Sequence, residues 1–352
     1  MKGCGRLSVA SRQFSKPGLS RPAAGRRLAT VLLLLVCFTV PSPGAERDGR
    51  WAILISGVSG DPELQKTYLQ ELIDLHAALE GPLGFPRGQV VVLSEDPSKD
   101  PGMIQHKSTR EGLQAACREL AGRVQKDDLV FVFIEGHGNF DGNTYKLNLI
   151  GPDPTADELA SMLYSIPAGR FVIVNATNCS GGSLHALSQK GSVVITSTKS
   201  GMEKNQTHLG RFFVDAFRQN AADQDKNGRV SILEAFSYAS GRVEEYYKGE
   251  GNLQTEHPVI DDNGDGKAQD RPGPENGEGF LARTTFLDPG IPSEANANLT
   301  PEQQKLAREA RELEGRIDAL KYSKREMSES EYEKKLEALL LRLAEINAQL
   351  PK

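Results

Sequence analysis

The chain has 352 residues and a formal net charge of −5, with 38% hydrophobic and 25% charged residues. This balance is typical of globular proteins and excludes a low-complexity or disordered chain. Seven Lys or Arg residues and no acid lie within positions 1–27, so the net charge without that leader is −12. An acidic body offers no basic surface for phosphate groups, which argues against a nucleic-acid partner.

Residues 1–45 are predicted to form a signal peptide. The basic segment precedes an apolar run at 28–40, and Pro-Ser-Pro-Gly-Ala follows at 41–45. This order is typical of export signals, and the run is shorter than the about 20 residues that a membrane-spanning helix needs. We therefore expect an exported, periplasmic or extracellular protein. Because Pro43 disfavours cleavage after Ala45, an uncleaved N-terminal membrane anchor is the alternative.

Apolar runs and amphipathic stretches alternate through residues 46–290. This alternation is typical of right-handed β-α-β crossovers. We therefore predict an α/β fold, a helix–sheet–helix sandwich with a mostly parallel sheet. Strands are predicted at 51–57, 89–93 and 192–196 and in the runs that start at 129 and 171, and helices at 62–79, 108–124, 156–163, 209–218 and 231–247.

Residues 300–352 differ in composition from the preceding domain. Apolar residues recur there at alternating spacings of four and three, which is the pattern of helices packed along a heptad seam. We predict a helical hairpin or coiled coil after a linker at 291–299. The periodicity leaves open whether the hairpin closes on itself, packs on the domain, self-associates or binds a partner helix.

Two reactive side chains each follow an apolar run. His137 comes after the first run with Gly138 behind it, and Cys179 comes after the second. Because ligands gather at the carboxyl ends of parallel strands, we expect the two side chains to lie together. An imidazole beside a thiol supplies a general base for a nucleophile. The pair predicts a cysteine peptidase, and the alternative is a surface histidine with an inert buried cysteine.

The residues around the cysteine refine this prediction. The amides of Gly138 and Cys179 are natural donors to an oxyanion, and a helix that starts near Ser183 would favour a thiolate. Gly181 and Gly182 are expected to leave the backbone open to a substrate chain. Cys117 is the other cysteine outside the leader, and we favour two free thiols over a disulfide.

The blocks Phe-Ile-Glu-Gly-His-Gly at 133–138 and Asn-Ala-Thr-Asn-Cys-Ser-Gly at 175–181 resemble those of the caspase–legumain superfamily of cysteine peptidases. The legumain branch is the most similar, and the resemblance covers about residues 50–220, in order and with similar spacing. It implies a caspase-like fold and a His137–Cys179 dyad that acts on a protein or peptide substrate. It also implies an oxyanion hole formed by the amides of Gly138 and Cys179. A thioester on Cys179 would be resolved by water in an endopeptidase, or by an amine in a transpeptidase.

The sequence also departs from that branch. Ser59 is the nearest candidate where legumains carry the asparagine that orients the histidine. The basic residue of the legumain specificity pocket is not evident, so asparaginyl or aspartyl specificity is not transferred. The candidate residues for the lining of the specificity pocket are Ser197, Lys199 and Glu203. A catalytically inactive calcium-binding scaffold of the same fold is the rival hypothesis.

Residues 223–234 match a twelve-residue EF-hand loop. Hard cations such as Ca²⁺ prefer oxygen ligands at positions one, three, five, seven and twelve, with glycine at six for the turn. These positions predict a structural Ca²⁺ site and no cofactor for catalysis. The alternative is an acidic turn that caps the following helix. The predicted ligands are Asp223, Asp225, Asn227, the backbone of Arg229, and Glu234.

A second stretch resembles the first half of such a loop. Asp261, Asn263 and Asp265 occupy positions one, three and five, but position twelve falls on Pro272. Proline has no side-chain ligand, so any site would be incomplete or would be closed by Asp270 or Glu275. An acidic turn without metal remains the alternative.

Overall fold

The computed structural model describes residues 47–218, 221–289, 300–324 and 327–350. The predicted signal peptide and linker lie outside these ranges. The strands are β1 (Arg50–Ser56), β2 (Val90–Ser94), β3 (His106–Lys107), β4 (Leu129–Glu135), β5 (Gly138–Phe140), β6 (Tyr145–Leu147), β7 (Arg170–Asn175), β8 (Ser192–Thr196) and β9 (Val259–Asp261). The helices are α1 (Pro62–Glu80), α2 (Arg110–Ala121), α3 (Ala156–Leu163), α4 (Leu184–Leu187), α5 (Leu209–Ala216), α6 (Ile232–Gly249), α7 (Phe280–Thr284), α8 (Pro301–Tyr322) and α9 (Glu329–Asn347).

Within the described ranges, seven strands form one sheet in the order β3-β2-β1-β4-β7-β8-β9. Neighbours pair in parallel except β9, which runs antiparallel to β8 at the edge. In the central pair, Ile134 of β4 lies opposite Asn175 of β7. The carboxyl ends of these two strands therefore lie side by side.

The side chains of β4 alternate between two cores. Phe131 and Phe133 pack with α1, α5 and α6 on one face of the sheet. Val132 and Ile134 pack with α2 and α3 on the other. Because both faces are covered, the strand is a continuous apolar run without polar alternation. The predicted α/β sandwich with a mostly parallel sheet is confirmed.

Several short elements were not expected from the sequence, among them a hairpin and an edge strand. β5 and β6 form an antiparallel hairpin directly after His137, where the sequence predicts no strand. β9 has three residues and joins the sheet edge far along the chain from its partner β8. Strands this short carry too few residues for a recognisable period.

The C-terminal helices α8 and α9 form the predicted hairpin. Ala310, Leu313 and Ile346 make its core. The hairpin also contacts α7, where the ring centroids of Phe280 and Tyr322 are 5.3 Å apart. Of the open alternatives, closure on itself and packing on the domain are thus both observed. Over the described ranges, no helix combines the length and apolar character needed to cross a membrane.

Candidate active site

His137 lies two residues beyond the end of β4. Its Nε2 atom is 3.1 Å from the carbonyl oxygen of Ser59. A carbonyl only accepts hydrogen bonds, so Nε2 carries the hydrogen and Nδ1 is the nitrogen that remains to exchange a proton. The edge-on ring of Tyr68 lies 6.0 Å away between centroids. Ser59 thus holds the imidazole through its backbone.

The hydroxyl of Ser59 has a different partner. It donates to Oε1 of Glu95 over 2.6 Å. This bond ties the loop after β1 to the residue that follows β2. Ser59, the candidate for orienting the histidine, therefore contacts His137 through its backbone carbonyl and not through its side chain. A side-chain motif in the sequence cannot reveal such a backbone contact.

Cys179 follows β7 and immediately precedes a short 3₁₀ turn at Ser180–Ser183. Its φ of 59° is in the left-handed region, which costs a non-glycine residue about 1–3 kcal/mol. The residue is buried, and its Sγ atom lies 3.7 Å from Nδ2 of Asn178. The strained backbone conformation of Cys179 persists because the surrounding contacts hold the loop in place.

Burial raises the pKa of the Cys179 thiol, although the charge of Lys204 and a hydrogen bond from the Phe140 amide act in the opposite direction. The helix α4 begins at Leu184, close to the predicted start, and its effect on the thiolate stays a prediction. The thiol needs a base to take its proton, which is the role that the free nitrogen of His137 can fill.

A buried polar network supports the loop between β7 and Cys179. The Thr177 hydroxyl donates to Oδ1 of Asn175 over 2.8 Å and lies 2.7 Å from the hydroxyl of Tyr145. Nδ2 of Asn175 also donates to Oγ of Ser183 over 3.0 Å. Burial raises the pKa of Tyr145 to about 12. The sequence analysis missed these residues, and polar side chains at the end of a buried run were the available signal.

The glycines behind the cysteine pack against protein. A Cβ atom on Gly181 would overlap the backbone of Lys199 and Ser200. A Cβ atom on Gly182 would lie 2.8 Å from the ring of Phe140. Packing therefore requires glycine at both positions, and the expectation that they leave the backbone open to a substrate chain stays a prediction.

One hydrogen bond joins the two candidate catalytic loops. The amide of Gly138 donates to Oδ1 of Asn178 over 2.8 Å. Gly138 directly follows His137, and Asn178 directly precedes Cys179. The sequence-predicted pair is therefore held at one end of two neighbouring strands.

Both predicted oxyanion donors have internal partners. The Gly138 amide donates to Asn178, and the Cys179 amide donates to the carbonyl oxygen of Glu203 over 2.8 Å. Glu203 belongs to residues 197–208, here called the strap. Nδ2 of Asn178 donates to the carbonyl oxygen of Lys204 in the same strap over 2.9 Å. A substrate oxygen can reach these amides only after the internal partners leave.

The strap contains the three residues that are the candidates for lining the specificity pocket. The Glu203 carboxylate lies 2.6 Å from Nδ1 of His257 and accepts the Lys199 amide. Lys199 is exposed, whereas Ser197 is fully buried. Glu203 thus anchors the strap, and Ser197 does not face an open pocket.

Comparison with known proteins gives structural neighbours alone. No protein-family model and no curated protein sequence matches the chain. Among 81 matching solved chains are GSU0716 from Geobacter sulfurreducens, the Drosophila initiator caspase Dronc, and pro-sf-caspase-1.

The three likenesses are distant. GSU0716 is 11% identical with a TM-score of 0.40, covering 67% of this chain and 97% of its own. Dronc is 11% identical with a TM-score of 0.42, and the match covers 70% of this chain and 85% of the Dronc chain. Pro-sf-caspase-1 is 13% identical with a TM-score of 0.38, and the match covers 62% of this chain and 93% of the pro-sf-caspase-1 chain. At these values the neighbours support no conclusion about activity, which has to come from the site itself.

The first predicted calcium loop brings its acidic residues together. Carboxylate oxygens of Asp223, Asp225 and Glu234 lie within 4.8 Å of one another. Gly228, at position six, has a φ of 83°, as the sharp turn requires. Burial and the two neighbouring carboxylates raise the pKa of Asp225. The remaining predicted ligands are adjacent, since Oδ1 of Asn227 accepts the Arg229 amide over 2.8 Å.

The second acidic loop is closed by a residue that the sequence analysis missed. Oxygens of Asp261, Asp265 and Glu278 lie within 4.8 Å of one another. Glu278 also accepts a bond from Nδ2 of Asn263 over 2.6 Å. The residue brought to this cluster is therefore neither Asp270 nor Glu275. Glu278 lies beyond any twelve-residue loop, so the motif could not indicate it.

Cys117 has no part in this site. It lies on α2, in the core on the face of the sheet that does not contact α5. Burial raises the pKa of its thiol to about 12. Within the described residues, Cys117 and Cys179 are both free thiols, as expected.

Proposed function

We propose that the chain is a cysteine endopeptidase of the caspase–legumain type, with Cys179 as nucleophile and His137 as general base. The observation that carries this proposal is the bond between Gly138 and Asn178, which holds the two candidate loops together at neighbouring strand ends. The Ser59 carbonyl adds support because it fixes which imidazole nitrogen can exchange a proton.

The chemistry follows from these groups. His137 takes the thiol proton, and the Cys179 sulfur attacks the carbonyl carbon of a peptide bond. The tetrahedral oxyanion is stabilised by amides freed from their internal partners. His137 then gives its proton to the leaving amine, and the C–N bond breaks to leave a thioester. Water, deprotonated by His137, adds to the thioester and releases the acid and the thiol.

Labelling with a peptide chloromethyl ketone tests the dyad. We expect covalent modification at Cys179 that falls at least about 100-fold in His137→Ala, since general-base assistance contributes about 10²–10⁴-fold. Cys117→Ser is the matched control and should label like the unchanged protein. Cleavage of a mixed peptide library should depend on both dyad residues.

The other outcomes identify the rivals. Labelling that does not depend on His137, together with no cleavage, would support the inactive scaffold. Peptide ligation in the presence of an amine nucleophile would identify a transpeptidase. Both use the same fold, but only the transpeptidase keeps Cys179 as the catalytic nucleophile.

We also propose that residues 223–234 bind Ca²⁺ for structure. Three carboxylates whose oxygens lie within 4.8 Å of one another, and the glycine turn at position six, support this proposal. The second cluster, with Glu278 in place of the expected closing residue, is the candidate for a second ion. Calcium titration of the metal-free protein tests both sites.

A further inference from the structure

The Asn178 side chain contacts two segments beside the candidate nucleophile and the sulfur of the nucleophile itself. Its Oδ1 atom accepts the Gly138 amide over 2.8 Å, and its Nδ2 atom donates to the Lys204 carbonyl over 2.9 Å. The same Nδ2 atom lies 3.7 Å from Sγ of Cys179. One side chain therefore connects the histidine loop, the strap and the thiol.

The carboxamide of Asn178 has the chemistry of the group that a peptidase binds. Its Oδ1 is an amide carbonyl oxygen, as is the oxygen of a scissile peptide bond, and it receives a backbone N–H that would otherwise serve an oxyanion. A Cβ atom on Gly138 would lie 2.6 Å from the Asn178 backbone oxygen, so the two segments approach too closely for a larger residue. The ring of Tyr145 is closer still, at 2.4 Å, so both neighbours require glycine at position 138.

We propose that Asn178 is a positioning residue whose carboxamide occupies the oxyanion site and must turn away before a substrate carbonyl can enter. The inference rests on the proposed peptidase function. Rotation of this side chain would free the Gly138 amide and break one of the bonds that hold the strap. Asn178 would thereby couple strap opening to assembly of the site.

Two reagents separate this role from a structural one. A peptide aldehyde adds the Cys179 sulfur to its carbonyl carbon, the thiol proton moves to the oxygen, and the hemithioacetal oxygen needs the oxyanion amides. The same sulfur displaces iodide from the CH₂ carbon of iodoacetamide, with the thiol proton passing to a base, and this step needs no such donor. The ratio of aldehyde affinity to alkylation rate therefore reports on the oxyanion site.

Asn178→Ala should bind the aldehyde about three- to tenfold more tightly than the unchanged protein, because one competing hydrogen bond is removed. The alkylation rate should change less than the aldehyde affinity. Asn178→Asp keeps the acceptor for Gly138 and places an acidic oxygen near the sulfur, so it should bind the aldehyde less tightly. Asn178→Ser provides the same test as Ala if the latter does not fold.

Changes in the same direction for the Ala and Asp variants would overturn the inference, since a structural role loosens the loop in both. Failure of the proposed function has a different signature. In that case the unchanged protein and all variants form no hemithioacetal, while iodoacetamide still modifies Cys179.

Discussion

The carboxyl group of Glu135, at the end of β4, hydrogen-bonds to that of Glu71 on α1. Two carboxyl groups in contact must share a proton. Burial, and then the charge of the partner, raise the pKa of Glu135 well above its usual value, and burial raises that of Glu71 to about 7. Glu135 lies two residues before His137 in the chain.

Rising pH is expected to destabilise the protein through this pair. The folded protein keeps a proton that the unfolded chain releases above about pH 4.5. The stabilising contribution is therefore complete below that pH and is lost as pH rises towards 7 and beyond. Between about pH 5 and pH 8, the free energy of unfolding should fall by roughly 1–3 kcal/mol more than in Glu135→Gln. Urea unfolding at a series of pH values measures this difference.

Glu63→Gln is the control for that titration. Glu63 lies on the same helix but is exposed and paired with Lys66. Its pH profile should follow that of the unchanged protein. Parallel curves for Glu135→Gln and the unchanged protein would show that the pair holds no shared proton.

Gly210→Ala should destabilise the fold by about 2–3 kcal/mol, since overpacking forces buried groups to move. Its Cβ atom would overlap Oε2 of Glu135 and lie 3.2 Å from Cβ of Ala176. Gly241→Ala on α6 is the matched control, because a Cβ atom there meets nothing within 4 Å. That variant should gain about 0.5–1 kcal/mol from helix propensity. Chemical denaturation measures both, and equal effects would refute the packing argument.

Calcium should bind to two sites, each of which depends on a different glutamate. Glu234→Gln should weaken the first site by at least about tenfold, because a bidentate anionic ligand is lost. It should leave metal-free stability nearly unchanged, since Gln can replace Glu in the capping box with Ser231. Glu278→Gln should affect the second site alone. Isothermal titration would contradict the assignment if either variant retained both binding events.

The stability of the C-terminal hairpin should depend on the side chains that α9 buries against α8. Ile346 is fully buried, whereas Leu341 on the same helix is 60% exposed. Ile346→Ala should reduce the local stability of α8 and α9 by about 2–4 kcal/mol, and Leu341→Ala by less than about 0.5 kcal/mol. Hydrogen exchange of the α8 amides would measure both. Similar losses in the two variants would mean that the helix packs with another face inward.

Local patterns were sufficient for the main elements of the fold. The limits of α3 and β8 match those predicted, because α3 has a complete capping box at Thr155 and β8 is a short apolar run. The candidate pair was also accessible from sequence. Parallel strands place their carboxyl ends at one edge, so His137 and Cys179 had to come near each other once β4 and β7 were neighbours.

The sequence by itself therefore determined the α/β sandwich and the positions of the candidate dyad and of the first acidic loop, since each depends on periodicity or short-range spacing. Only the tertiary structure decided the partners of those residues. The Ser59 carbonyl at His137, Asn178 at the Gly138 amide, Glu71 beside Glu135 and Glu278 in the second acidic cluster are all contacts between distant segments. They follow from helix packing and loop conformation, which no local pattern encodes.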